Sequence, residues 1–100
     1  MINIKRCNNT ISISGHANYD VYGKDIVCAS VSSIITTAVN IIMNIDSTAI
    51  SYQDDGKEVV ITNNNSNVVV NTILDTVFDE LKDLANQYKK YIKIESEGKI

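Results

Sequence analysis

Asp25-Ile26-Val27-Cys28-Ala29-Ser30-Val31-Ser32-Ser33-Ile34-Ile35-Thr36-Thr37-Ala38-Val39-Asn40-Ile41-Ile42-Met43-Asn44-Ile45 is the stretch that decides how this chain folds. Val27, Val31, Ile34, Ile35, Ala38, Ile41, Ile42 and Ile45 recur at steps of three and four, which places them on one face of a long helix. Asp25 stands just before the first of them. A carboxylate there accepts backbone N–H groups that a helix start leaves unpaired.

Toward the N-terminus the period changes. Ile2 and Ile4 alternate with polar neighbours, as do Ile11 and Ile13, and Cys7-Asn8-Asn9 between them supplies a turn. This reads as a β-hairpin. Residues 15–24 follow as a loop with Gly15 and Gly23 flanking it and no sustained periodicity. Toward the C-terminus, 49–53 and 58–62 are short strands around Asp54-Asp55-Gly56, whose Asp-Gly pair suits a hairpin. Asn63-Asn64-Asn65-Ser66 is a polar stop, after which Ser66 or Asn67 can cap a second helix. That helix carries Val70, Ile73, Leu74, Val77, Leu81, Leu84, Ala85 and Tyr88 on one side, with Lys89 and Lys90 toward its C-terminal end. Residues 91–96 alternate again as a last strand, and the final residues are expected to fray.

The order is therefore ββαββαβ, an α+β domain in which two helices pack on one face of a mostly antiparallel five-stranded sheet. The chain of 100 residues reads as one domain, 1–100, without repeats. Its 44% hydrophobic and 21% charged residues allow one packed core and argue against disorder. There is no unbroken run of about 18 apolar residues, and the start lacks the charged-then-apolar order of a secretory signal. A cytoplasmic protein without a membrane partner is expected.

A net charge of -3, with Arg6 the single arginine, argues against direct nucleic-acid binding and suits a basic partner better. In a reducing compartment, Cys7 and Cys28 are disfavoured as a disulfide pair and interesting as thiols. One histidine and two separated cysteines make no zinc spacing, and no glycine-rich phosphate loop is present. Neither a metal nor a cofactor is expected.

Chemistry concentrates between Gly15 and Ser32. Cys28 falls at the third helical position, where the unpaired N–H groups and positive end of the helix favour a thiolate and suit a developing oxyanion. His16, twelve residues upstream, can fold back with its loop to take the thiol proton. Against this stands the plainer reading of a packed cysteine and a solvated histidine.

Gly15-His16-Ala17, Gly23-Lys24-Asp25-Ile26-Val27-Cys28-Ala29 and Ser32 together resemble the signature of the bacterial ribosomal-processing cysteine proteases, the Prp family. The strand and helix order is similar along the whole chain. The resemblance implies a catalytic dyad of Cys28 and His16 that hydrolyses a peptide bond. The implied substrate is a ribosomal-protein precursor: the enzyme would remove the N-terminal extension of large-subunit protein number twenty-seven during ribosome assembly. It also implies a homodimer and a loop that moves to admit the peptide. Gly15 and Gly23 either allow that motion or satisfy tight turns. Tyr19 and Tyr22 either line the cleft or anchor the loop. Asp25 is best read as the helix cap, although Asp20 and Asp25 are both candidates to orient His16. Ser32, one turn after Cys28, orients the thiol or the loop, or bonds back to the Cys28 carbonyl. Cys7 lies outside the motif.

Two other functions compete. One is a non-enzymatic module that binds a ribosomal protein through its acidic surface. The other is a thiol-dependent hydrolase or redox protein unrelated to ribosomes, with Cys7 as the resolving thiol.

Overall fold

The computed structural model describes residues 1–21, 23–65 and 67–97. Its elements are β1 (Ile2–Cys7), β2 (Thr10–Ser14), α1 (Ile26–Ile45), β3 (Ile50–Asp54), β4 (Glu58–Asn63), α2 (Val68–Gln87) and β5 (Ile92–Glu97). The order is the one expected from the sequence, with boundaries displaced by a residue or so. The strands form one sheet in the order β3-β4-β2-β1-β5. Only β1 and β5 run parallel; the other three pairings are antiparallel.

Register explains why the sheet has one buried face. Ile4 lies opposite Ile13 and beside Ile94, and Ile11 lies opposite Ile61, so the isoleucines of neighbouring strands point the same way. Val27, Val31, Ile35 and Ile42 of α1, and Val70, Leu74, Phe78, Leu81 and Ala85 of α2, close over that face as one core. Val27, Ile42, Val70 and Leu81 are fully enclosed, and each such side chain stabilises the fold by about 1.5–3 kcal/mol.

Four details differ from the sequence reading. Cys7 belongs to β1, paired with Thr10, and the turn is Asn8-Asn9 alone. Asn8 takes a φ of 54°, which asparagine tolerates. Ile41 and Ile45 remain about half exposed, because the apolar stripe of α1 is wider than the face it buries. Phe78, absent from the apolar side given above although it lies four residues after Leu74 and three before Leu81, is buried, with the Arg6 guanidinium and the Lys82 ammonium both over its ring. Lys89 and Lys90 follow the end of α2 at Gln87 and do not lie in its last turn.

Asn67 caps α2 by accepting the Val69 and Val70 N–H groups; the other candidate, Ser66, lies outside the described residues, as do the terminal residues 98–100. By length and composition alone α1 is apolar enough to cross a bilayer. Its buried Val27, Val31, Ile35 and Ile42, however, belong to the same core as the sheet and α2.

Candidate active site

Asp25 begins the site. Its Oδ1 accepts the N–H groups of Val27 and Cys28, each at 3.0 Å, and its backbone carbonyl accepts that of Ala29 at 3.0 Å. This is the cap the sequence called for, and it holds Cys28 half-buried as the third residue of α1. The other carboxylate oxygen, Oδ2, accepts the N–H of Tyr19 at 3.0 Å. One side chain thus ties the loop to the helix start. Burial, the largest single influence, pushes the Asp25 carboxyl up; hydrogen bonds from the Cys28, Tyr19, Asp20 and Val27 backbone outweigh it and hold the group below the usual carboxylate range.

The cap corrects one expectation. The Val27, Cys28 and Ala29 N–H groups are all taken within the helix start, so they are not the free donors that an oxyanion needs. The donor aimed at the sulfur comes from the loop instead, where the Ala17 N–H lies 3.4 Å from Cys28 Sγ. Ala17 is only 3% exposed and belongs to the core, which fixes the direction of that N–H. The sequence carried no local sign of this contact.

His16, the neighbour of Ala17, is exposed. Gly15 before it has a φ of +84°, and a Cβ there would overlap the backbone carbonyl oxygen of Met1. Gly15 is thus required for close approach of two backbones, whatever motion it also allows. Gly23 has a φ of +87° with open space around it, so only its backbone conformation favours glycine.

Gly15, His16, Gly23, Asp25, Cys28 and Ser32 all line one cleft of about 770 Å³. It lies where β1 and β4 begin and β2 and β3 end, so that Asp54, Lys57 and Glu58 also border it. The six motif residues offered as catalytic or supporting therefore border the same cleft, as does Asp20, while Tyr19 and Cys7 do not. Among the described residues no hydrogen bond joins the imidazole to the sulfur, or either to Asp20 or Ser32; the back-bond of this turn is made by Ser30, to the Ile26 carbonyl. Asp20 Oδ1 accepts the N–H of Val21.

Tyr19 does not line the cleft; its ring packs edge-on against Tyr88 and Tyr91, which makes it a loop anchor. Tyr22 lies outside the described residues. Cys7 ends the strand whose first residue, Ile2, borders the cleft, roughly 16 Å along β1. Both cysteines are free thiols. Among the described residues no three histidine, cysteine or acidic side chains converge as a metal site.

A thiol in the first turn of a core helix, with an imidazole from the preceding loop on the same cleft, is the equipment of a cysteine hydrolase on a small α+β domain. The chain belongs to the cysteine protease Prp family, whose model matches residues 1–93. It is 31% identical over 87 residues to the ribosomal processing cysteine protease Prp of Staphylococcus aureus, covering 84% of this chain and 82% of that one. The Mycoplasma pneumoniae protein of the same name is 31% identical over 103 residues, covering 99% and 98%. The crystal structure of the S. aureus protease with a covalently linked product peptide superposes with a TM-score of 0.85 at 28% identity, covering 97% of this chain and 100% of that one. The protein is accordingly a cysteine protease.

Proposed function

We propose that Cys28 and His16 form the dyad of this protease, and that it removes the N-terminal extension of the precursor of large-subunit ribosomal protein number twenty-seven, acting in the cytoplasm as a homodimer. The observation that carries the dyad is that these two residues, separated in sequence by the whole loop, border one cleft. The substrate, compartment and dimer rest on the resemblance of the Gly15 to Ser32 motif to the family signature. The name of the relatives, ribosomal processing cysteine protease, supports a ribosomal substrate.

In the reaction, His16 accepts the Cys28 thiol proton as the sulfur attacks the scissile carbonyl carbon. The negative charge that collects on the carbonyl oxygen falls near the Ala17 N–H, the donor already directed at the sulfur. Collapse of this intermediate breaks the C–N bond, with His16 returning the proton to the leaving amine. Water, deprotonated by His16, then cleaves the thioester and regenerates the thiol. The imidazole tightens onto the sulfur as the peptide seats, a shift that catalytic groups commonly make between free and bound enzyme.

The test is mass spectrometry of the extended precursor incubated with wild-type, Cys28→Ala and His16→Ala proteins under reducing conditions. A single N-terminal cleavage by wild type, lost in both variants, is the expected result. A precursor left whole by wild type while still bound would sink the substrate assignment.

A further inference from the structure

Among the described residues, three contacts made by Ala17 and Tyr19 fasten the loop between Gly15 and Gly23 to the body of the protein. At the first, Ala17 is buried and gives its N–H to Cys28 Sγ at 3.4 Å. At the second, Tyr19 gives its N–H to Asp25 Oδ2 at 3.0 Å. The third is the Tyr19 ring, whose centroid lies 5.8 Å from that of Tyr88 at 87° and 5.0 Å from that of Tyr91 at 76°. Both are the edge-to-face arrangement that aromatic rings favour.

The platform under the ring is stiff. Tyr88 closes α2, and its carbonyl accepts the N–H groups of Tyr91 at 2.9 Å and Ile92 at 3.1 Å. The Tyr91 carbonyl in turn accepts the N–H of Ile2, at 2.8 Å, joining this corner to β1. Both tyrosines pack against the core. The ring of Tyr19 therefore rests on the end of α2 and the start of β5, while its backbone is held at the start of α1.

Asn18, between the first two fastenings, has a φ of 56°. Asparagine tolerates this left-handed backbone, which turns the chain between Ala17 and Tyr19.

We propose that Tyr19 is a positioning residue of this protease: its ring, seated on Tyr88 and Tyr91, holds the segment that presents His16 and the Ala17 N–H to Cys28. The inference rests on Cys28 and His16 being the dyad. Tyr19 does not border the cleft, although Asn18 and Asp20 do, so the ring acts through the loop backbone without touching the peptide. Among the described residues its hydroxyl makes no hydrogen bond. The ring alone carries the effect.

The experiment measures amide hydrogen exchange at Ala17 together with kcat and KM on the extended precursor, for wild type, Tyr19→Ala and Tyr19→Phe. Tyr19→Ala is expected to speed exchange of the Ala17 amide about five- to thirty-fold, the factor corresponding to about 1–2 kcal/mol from two ring pairs. It should lower kcat with KM unchanged, and Tyr19→Phe should restore both. Unchanged exchange in Tyr19→Ala overturns the inference, and so does a loss confined to KM, which would make Tyr19 a peptide contact. Faster exchange with unaltered kcat overturns it too, because the loop would then be held without serving catalysis. The exchange arm needs no substrate. A wild type that leaves the precursor whole refutes the substrate assignment by itself, while exchange still decides whether Tyr19 holds the loop.

Discussion

The Ala17 N–H points at the Cys28 sulfur from 3.4 Å, while the N–H of Cys28 itself is engaged by the Asp25 carboxylate. The sulfur thus receives its hydrogen bond from the loop, not from the helix that carries it. A negatively charged cap beside the helix start also offsets part of the positive field that a bare N-terminus would offer a thiolate. On the proposed dyad the loop is for this reason part of the chemistry, and His16, the proton acceptor it would carry, is the group whose loss should matter most.

Removal of that acceptor is the first prediction. His16→Ala should lower the cleavage rate about 10²- to 10⁴-fold, the usual range for a positioned general base. Because His16 is exposed, its thermal unfolding midpoint should stay where it is in wild type. Kinetics and a melting curve on the same preparation check both parts.

Gly15 and Gly23 share a positive φ but differ in their surroundings, so alanine should cost unequally at the two sites. At Gly23 the penalty is the left-handed backbone, roughly 1–2 kcal/mol. At Gly15 the added carbon also meets the Met1 carbonyl oxygen, which forces β1 and the loop apart. Urea unfolding should therefore rank Gly15→Ala below Gly23→Ala, and equal midpoints would show that the Met1 contact relaxes freely.

Much of this architecture was legible because its determinants are local. Asp25 and Asn67 announce helix starts by side-chain chemistry within three residues, and the isoleucine alternation marks strands without reference to their partners. Gly15, His16, Gly23, Asp25, Cys28 and Ser32, all taken from the motif, are among the residues that border the cleft, whereas Asp54, Lys57 and Glu58 reach it from the second hairpin and carried no such sign. What stayed hidden depends on contacts between distant segments. The parallel pairing of β1 with β5 joins opposite ends of the chain, and the close approach of Gly15 to Met1 requires the first hairpin to be formed. Phe78 stands four residues after Leu74 and three before Leu81, so its burial was legible in the spacing of α2; what the sequence hid is that Arg6, a charged residue on the buried face of β1, lies over its ring.

That arginine supports a third prediction. Arg6 is 8% exposed, and its guanidinium donates to Asp75 Oδ1 at 2.7 Å, while the Asp75 side chain is 57% exposed. Asp75→Ala leaves the cation over Phe78 without its acceptor and should destabilise by about 1–3 kcal/mol. Arg6→Met keeps an unbranched stem against the ring and removes the charge, so it should cost less. Chemical denaturation of the two variants checks the order, and a larger loss in Arg6→Met would mean that the guanidinium stabilises more through the ring than through the carboxylate.

Acid should loosen the loop before the core. Asp25 titrates below its ordinary value in the folded protein, despite the upward push of burial, because backbone N–H groups stabilise its charged form. A lowered folded value means that the associated stability is present above the unfolded pKa of about 3.9 and is lost as pH falls through the folded one. Asp25→Asn keeps an oxygen for the cap but does not titrate, so its stability should fall less steeply below about pH 4. Asp46 and Asp55, also lowered by nearby hydrogen bonds, leave a residual slope in that variant. Urea midpoints across the acid range decide the matter, and parallel curves for the two proteins would exclude Asp25 as a source of the acid limb.

Charge around the cleft bears on which peptides it prefers. Among the described residues, Asp20, Asp25, Asp54 and Glu58 border it against one cation, Lys57, and Asp25 is already occupied with backbone N–H groups. The remaining three favour a peptide carrying lysine or arginine near the scissile bond. These carboxylates are exposed, so each contact with such a peptide should contribute only about 0.2–1 kcal/mol and be weakened by salt. Asp54→Asn with Glu58→Gln should therefore raise KM about two- to thirtyfold for a basic peptide and leave kcat alone. The asparagine still offers the oxygen that accepts the Gly56 N–H at 2.9 Å, so the hairpin should survive the change. Raising the ionic strength from about 0.05 to about 0.5 M should move wild type the same way and the double variant little. Were KM instead identical for basic and neutral peptides in wild type, these carboxylates would only solvate the rim, and selection would fall to apolar contacts with Ile2, Ile13 and Val59 in the same cleft.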